Sequence, residues 1–272
     1  MKNKFDIFIK VAKARAYVRV KGQLTRDLNW IFASMVGAFL TMASFVYLYR
    51  SIGAPEEFAG IVLLGGLMMP FWGNVLWSVA TQLYWEKEMG NLQLVILSPA
   101  PLSAFLLGLT IGGMVHTTIR AIMVLFVGMF IFKISFVVTN IWLVIMVFLV
   151  TLLALYGVGM IFSSLFLFYG RELWRVALLI QEPVSLASGF YFPVKFLGTT
   201  GAALVSLIPL ALGLDALRQL LLINFNFFFL SWKVETIILI ILGLLFGFLA
   251  IKMLHYTEFI AKKEGKLTLK WE

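Results

Sequence analysis

The sequence predicts an all-α membrane protein with six transmembrane helices, and three observations lead to this prediction. Hydrophobic residues make up 62% of the 272 residues, whereas only 13% are charged; soluble domains are nearer half apolar and a quarter charged. Apolar segments near the roughly 20 residues that a bilayer crossing requires recur along the chain. The basic residues are distributed by membrane side. The length predicts a single membrane domain over residues 1–272.

Six apolar segments supply the predicted spans. Their approximate bounds are Leu28–Tyr49, Phe58–Leu83, Leu102–Phe132, Val138–Tyr169, Trp174–Phe192 and Trp232–Leu254. With both termini in the cytoplasm, 16 Lys and Arg residues lie inside and five outside, in agreement with the positive-inside rule. The net charge of +9 thus follows membrane side, and no nucleic-acid partner is expected. The chain has no cysteine, which excludes disulfides and cysteine-ligated metals.

Residues 1–27 precede the first span and predict a cytoplasmic helix that lies along the membrane surface. At helical spacing, one arc is polar and the opposite arc is largely apolar. The polar arc consists of Asp6, Lys10, Lys13, Tyr17 and Lys21. Arg15 and Arg19 interrupt the apolar arc, and their long side chains can snorkel to water. The segment is either a basic topology anchor or an interfacial helix that also meets a partner.

Residues 84–101 form a polar break between the second and third spans. Glu86–Glu88 contains two acids and a lysine, and each charge would cost about 3 kcal/mol in hydrocarbon, so this break belongs at a water-facing surface. Leu92, Val95 and Ile96 form an i, i+3, i+4 stripe on a short helix that two prolines terminate. We expect this stripe to rest on a partner or on the membrane interface.

Three ionisable side chains fall inside predicted spans, where such residues are functional hypotheses by default. His116 and Arg120 lie four residues apart on one face of the third span, and Glu182 precedes Pro183 in the fifth. Arg120 and Glu182 would neutralise each other, so we expect a structural or gating ion pair between these spans. His116 alone is more often a hydrogen-bonded packing residue than a substrate ligand.

The segment 193–231 lies outside the membrane in this topology. Prolines and glycines break its apolar run, so it need not be a full crossing. Asp215 and Arg218 are three residues apart and can pair on one helix face. We expect such a pair to staple an external helix.

The polar break resembles the first cytoplasmic loop of ABC type-2 permeases, the membrane subunits of ABC exporters. The family pattern there is roughly Glu-x-Glu-x-Gly-Thr-Leu-x-x-Leu-Leu-x-(Ser/Thr)-Pro. The matching residues are, in order, Glu86, Glu88, Gly90, Leu92, Val95, Ile96, Ser98 and Pro99. Asn91 replaces the common threonine, and Leu109 stands where lysine is frequent. The resemblance implies a coupling helix that docks into a groove of an ATPase subunit.

Four residues of this loop are expected to serve the coupling: Glu86, Glu88, Gly90 and Leu92. Carboxylates at a helix N-terminus favour the helix dipole, and they can pair with arginine on a partner. Gly90 would allow a turn. By the same resemblance, the helix before the first span would also meet the ATPase.

A second stretch resembles the same family. The matching residues are Ser188, Gly189, Phe192, Pro193, Pro209, Leu210, Asp215, Arg218 and Leu221. The resemblance implies short external re-entrant helices that dip partway into the outer leaflet between the fifth and sixth spans. Pro193, Pro209, Asp215 and Arg218 are the residues that characterise them.

The resemblance implies the permease subunit of an ABC exporter in the cell membrane, which carries a drug (as in multidrug export), a lipid or a glycan outward. The chain has no Gly-x-x-x-x-Gly-Lys-(Ser/Thr) phosphate loop, so ATP hydrolysis, with its ATP and Mg²⁺, is expected on a separate subunit. We therefore expect no enzyme activity, catalytic residue, metal or cofactor in this chain. Six spans are half the usual set of the family, which implies a homodimer in the lipid bilayer.

An ion-coupled secondary transporter is the alternative, with Glu182 as its coupling carboxylate. Such transporters carry inverted repeats and midplane carboxylates, and the sequence shows no clear repeat. An intramembrane enzyme is disfavoured, because His116 and His255 lie on different segments and no nucleophile lies beside a base.

Overall fold

The computed structural model describes residues 4–26, 28–138, 140–170, 172–222 and 225–264, and these residues form helices with no strand. The first helices are α1 (Lys4–Arg26), α2 (Leu28–Ser51), α3 (Glu57–Asn74), a π-helical turn (Val75–Val79) and α4 (Gln82–Glu88). The short α5 (Leu92–Leu97) leads into α6 (Leu102–Phe132), α7 (Ile141–Tyr169) and α8 (Glu172–Ala187). A 3₁₀ turn (Val194–Leu197), α9 (Gly198–Val205), α10 (Pro209–Leu221) and α11 (Trp232–Glu264) follow.

Among the described residues, four helical stretches are long and apolar enough to cross a membrane. They are Glu57–Glu88, Leu102–Phe132, Ile141–Tyr169 and Trp232–Ile260, which correspond to the predicted second, third, fourth and sixth spans. The predicted first and fifth spans form α2 and α8, which are not among these four, so the count of six stays a prediction.

The fifth helix is shorter than the sequence suggested. α8 has 16 residues and is about 24 Å long, less than the roughly 30 Å of the hydrocarbon core. The predicted end at Phe192 is wrong, because the helix ends at Ala187 and Gly189 adopts a φ of 74°. A left-handed residue cannot continue a right-handed helix.

α3 is the central helix of the bundle. Of its residues from Phe58 to Trp72, all but Met69 are buried, because α2, α6 and α10 pack around it. Elsewhere in the bundle, α7 packs along α11. The chain after α8 approaches α3 closely at Gly65, where a Cβ atom would lie 1.8 Å from the Phe190 carbonyl oxygen. Glycine at this position therefore permits a backbone contact that any side chain would block.

α1 packs along the first turns of α6. A Cβ atom on Gly108 would lie 2.4 Å from the Ala12 carbonyl oxygen, and one on Gly112 would also meet the α1 backbone. Four of the five residues of the predicted polar arc are exposed. On the predicted apolar arc, Ala12 is buried against α6, whereas Phe5 and Val18 are exposed. The segment is a helix, as expected, and only part of its apolar arc rests on the protein; its place along the membrane surface stays a prediction.

Arg15 and Arg19, which the sequence assigned to snorkelling, fasten α1 to the bundle instead. The Arg15 guanidinium carbon lies 4.3 Å from the centroid of the Phe105 ring, a distance suited to a cation–π contact. Arg19 Nη2 donates to Ser78 Oγ in the π-helical turn at 2.6 Å. Both side chains thus bridge from α1 to elements that flank the loop between α3 and α6.

Candidate functional site

The predicted loop 84–101 folds as two short helices that meet at Gly90. α4 ends at Glu88, and Gly90 has a φ of 74°, which glycine adopts without steric cost. α5 then runs from Leu92 to Leu97, and Ser98 is extended. The predicted turn at Gly90 and the short helix after it are confirmed. We call Gln82–Leu97 the α4–α5 segment.

α5 has one buried face and one exposed face. Leu92 is fully buried and Val95 is nearly so, and both belong to the main core cluster. The expectation that their stripe rests on a partner or on the membrane interface is therefore wrong: it holds α5 against this chain's own core. The exposed face carries Leu94 and Leu97, which are 71% and 82% exposed, and Met89, directly after α4, is 69% exposed. We call these three residues the α5 patch.

The two acids of the segment lie at the end of α4. Glu88 is exposed, and Glu86 accepts a hydrogen bond from Gln82 Nε2 at 3.0 Å. The prediction that they sit at a helix N-terminus is wrong, because the last turn of a helix carries the negative end of its dipole. The helix dipole therefore does not stabilise these two acids. The exposed Glu88, beside the α5 patch, can instead pair with a cation on another molecule.

Arg120 lines a small cavity between α2, α3 and α6. The cavity has a volume of about 210 Å³ and is lined by Gly37, Ala38, Thr41, Met69, Pro70, Arg120 and Val124. His116 is buried one turn before it on α6. From α7, Tyr156 interacts electrostatically with Arg120 and donates its hydroxyl hydrogen to Asn74 Oδ1 at 3.0 Å. Polar groups of three helices therefore converge here.

Glu182 lies elsewhere, on the exposed face of α8. Its Oε1 accepts a hydrogen bond from Gln181 Nε2 at 2.9 Å. Within the described part of the chain, the ion pairs are Lys10–Asp6, Arg50–Glu56 and Arg175–Glu172. The expected pair of Arg120 with Glu182 is not one of them, so the structure does not join these two residues within one chain.

Arg218 fastens α10 to α3 and to the chain that follows α8. Its side chain is fully buried, and its Nη2 donates to the carbonyl oxygens of Ile61, Gly189 and Phe190. Burial lowers the pKa of Arg218 to about 10, so it is charged at neutral pH. The i, i+3 pairing with Asp215 is not among the ion pairs of the described residues. Arg218 staples α10 as expected, but through backbone carbonyls.

Asp215 fastens the other side of α10. Its Oδ2 accepts from the Phe229 backbone N–H, just before α11, at 3.0 Å. Burial raises the pKa of Asp215 above its usual range. The helix start expected at Pro209 is present, because Pro209 is the first residue of α10, and Pro193 directly precedes the 3₁₀ turn.

Sequence reasoning missed several residues at these sites. The α5 patch was visible in principle, because Leu94 and Leu97 are the apolar residues left when the buried stripe is subtracted from the helix. Gln181, which contacts Trp72 and Trp77 on the α3 side, gave no signal, since a neutral amide in an apolar helix matches no motif.

A comparison with known protein families covers most of the chain. A family model described as ABC-2 type transporter matches residues 17–222, which include the α4–α5 segment and α10. No curated protein matches the chain.

Proposed function

Because the chain belongs to the ABC-2 type transporter family, we propose that it is the membrane subunit of an ABC exporter. Its cargo is hydrophobic or amphiphilic, of the drug, lipid or glycan class, and moves outward. ATP hydrolysis, with its ATP and Mg²⁺, takes place on a separate ABC ATPase subunit. This chain forms the path of the cargo across the membrane and does not hydrolyse ATP.

The division of α5 into a buried face and an exposed face carries this proposal. A water-facing loop gains nothing by exposing three large apolar side chains, and such a patch is typical of a contact surface. Burial of Leu94 and Leu97 in a groove would contribute about 1.5–3 kcal/mol each. Glu88 at the edge of the patch offers a carboxylate to an arginine at the rim of that groove.

The buried face of α5 gives the mechanism. Leu92 and Val95 belong to the same core cluster as residues of α3, α6 and α7, so a push on the α5 patch reaches the long helices through direct packing. Nucleotide-driven closure of the ATPase subunits favours one arrangement of these helices, and release favours the other. Alternation between the two opens the path to each side in turn.

The assembly that fits this mechanism is a homodimer bound to two ATPase subunits in the cell membrane. Both termini and both α4–α5 segments face the cytoplasm, as the distribution of basic residues favours. α1 packs beside the same end of α6 that follows α5, so it flanks the proposed docking surface.

The test is gentle purification of the tagged chain from its native membrane, with mass spectrometry of the proteins that accompany it. We expect a stoichiometric ATPase with the wild type and its loss with the double variant Leu94→Gln, Leu97→Gln. The control is Leu204→Gln, Leu207→Gln in the region of α9, where the exposed fractions are similar, 70% and 66%.

Each other outcome contradicts part of the proposal. A homo-oligomer that purifies without an ATPase in several detergents would overturn the exporter and favour the ion-coupled transporter with Glu182 as the residue to mutate. An ATPase that stays bound to the α5 double variant would remove the docking role from the α5 patch.

A further inference from the structure

α8 touches the bundle along one side. Only Ala177 and Ser185 are buried among its described residues, and Leu179 is exposed. Its backbone packs mainly against α7, and the ring of its Trp174 lies 5.3 Å from that of Trp77, measured between centroids. Aromatic and apolar packing tolerates small sliding, whereas hydrogen bonds are directional, so the hydrogen bonds of α8 fix its position most narrowly.

Those contacts meet at Gln181. Trp72 Nε1 donates to its backbone carbonyl at 3.3 Å, and Trp77 Nε1 donates to its Oε1 at 2.7 Å. Gln181 Nε2 in turn donates to Glu182 Oε1 at 2.9 Å. The amide is therefore oriented by Trp77, and it orients the Glu182 carboxylate on the exposed face of α8.

The two tryptophans can reach one residue because the backbone between them is π-helical. In a regular α-helix, side chains five residues apart point about 140° away from each other. The π-helical turn Val75–Val79, closed by the bond from the Ala80 N–H to the Val75 carbonyl at 2.9 Å, has more residues per turn and reduces that angle. The Thr81 hydroxyl donates to the Trp77 carbonyl at 3.0 Å and so stabilises the turn.

The same helical path leads to the α4–α5 segment. Glu57–Glu88 forms one continuous membrane-crossing stretch, and Trp77 lies roughly 16 Å from its inner end. Leu83 of α4 shares a core cluster with Leu92 of α5. Movement of α5 is thus carried along a stiff helix to the turn that holds Gln181.

We propose that Gln181 is a positioning residue for transport: held by Trp72 and Trp77, it transmits movement of the α4–α5 segment to α8 and sets the direction of the Glu182 carboxylate. This inference rests on the proposed exporter function. It assigns the π-helical turn as the joint between the ATPase-facing loop and an exposed helix.

The test uses the full chain with its ATPase subunit in vesicles, and it exploits the absence of cysteine from the sequence. A nitroxide label is placed either at Leu179→Cys on α8 or at Gln93→Cys on α5, both exposed. Spectra are recorded without nucleotide and with ATP plus vanadate. We expect a nucleotide-dependent change in mobility at both labels in the wild-type background.

Trp77→Phe is the informative variant, because it keeps an aromatic ring and removes the indole N–H. We expect the change at the α5 label to persist and the population shift at the α8 label to fall roughly two- to tenfold, the factor that one hydrogen bond gives in an equilibrium. Trp142→Phe, at an exposed tryptophan of α7, is the control and should leave both responses intact.

The outcomes separate the inference from its premise. A full α8 response in Trp77→Phe overturns the inference, whereas a wild-type chain that binds no ATPase and shows no response at either label overturns the proposed function. If Trp77→Phe does not fold, Gln181→Leu removes the same hydrogen bond from the other side, and a full response there is equally decisive.

Gln181→Glu separates the two roles of the amide. The carboxylate still accepts from Trp77, but it cannot donate to Glu182 and repels it. We expect the α8 response to remain and vesicle uptake of a fluorescent amphiphilic cation to fall severalfold. Unchanged uptake would overturn the role of Gln181 in directing Glu182.

Discussion

The α4–α5 segment and α10 are both short helical pieces beside prolines and glycines, yet they are held in opposite ways. Every residue of α10 from Pro209 to Arg218 is buried, and Arg218 and Asp215 bond to backbone of other segments. The buried side chains of α5 are Leu92 and Val95, and the helix exposes its other face.

The difference distinguishes a rigid part of the molecule from a part whose exposed surface can bind another molecule. Hydrogen bonds from a buried guanidinium to carbonyls permit one geometry, because any shift leaves polar groups unpaired. Apolar packing tolerates small sliding, and the exposed face of α5 can gain contacts. α10 is thus built as a fixed cap and α5 as a contact element, and the following substitutions test that contrast.

The largest effect is expected at Arg218. Arg218→Leu leaves the carbonyls of Ile61, Gly189 and Phe190 without this donor in a buried site, at about 1–3 kcal/mol each. We expect the monodisperse peak in fluorescence-detected size exclusion to disappear or its melting temperature to drop steeply. The control is Lys195→Leu, which removes an exposed cation from the same external region; equal losses in both variants would refute the staple.

Leu92 and Leu94 form a matched pair on α5. Leu92→Ala removes a fully buried side chain and should destabilise the protein by about 2–5 kcal/mol. Leu94→Ala, at an exposed position, should change stability by less than about 0.5 kcal/mol while weakening ATPase retention. Thermal melting of purified protein and co-purification measure the two effects, and a reversed order would mean that the faces of α5 are assigned wrongly.

Gly90, between α4 and α5, and Gly198, at the start of α9, both have a φ of 74°. Gly90→Ala should cost roughly 1 kcal/mol, whereas Gly198→Ala should cost about 1–3 kcal/mol, because Gly198 has a ψ of 173°, a region that only glycine adopts readily. We expect Gly90→Ala to lower ATP-driven transport more than Gly198→Ala, although it should lower the melting temperature no more. Equal transport losses would show that the orientation of α5 has no special role.

The smallest effect concerns pH. Since burial raises the pKa of Asp215, the fold favours its protonated form, and this contribution to stability is lost as pH rises from the usual value of 3.8 through the raised one. Asp215→Asn still accepts from the Phe229 N–H but cannot ionise. We expect its melting temperature to fall less than that of the wild type between acidic and neutral pH, and parallel curves would contradict this.

Elements whose ends are set by one local feature, such as a proline or a glycine, could be predicted from the sequence. α6 has the predicted bounds, because prolines before it and the left-handed Lys133 after it delimit a long, largely apolar run. The turn at Gly90 and the start of α10 at Pro209 follow from backbone chemistry alone. The family resemblance of the loop, carried by residues 86–99, is confirmed by the family match.

What depends on tertiary contacts could not be predicted. Which face of α5 is buried depends on the position of the core, and the stripe of Leu92, Val95 and Ile96 could equally face the core or a partner. Arg218 and Asp215 have a spacing that allows a pair, but carbonyls and an N–H from distant segments compete for them. The roles of Gln181 and Trp77 arise only once the π-helical turn brings them together.

The packing of α1 on α6 has a consequence for biogenesis. α1 leaves the ribosome before α2 to α5, and the α6 surface that receives it at Gly108 and Gly112 does not yet exist. Until then, given the proposed cytoplasmic N-terminus, its basic arc suits a newly made helix that rests on an anionic membrane surface. Docking onto α6 is therefore a late step of membrane insertion, and it can occur only after the α4–α5 segment has been made.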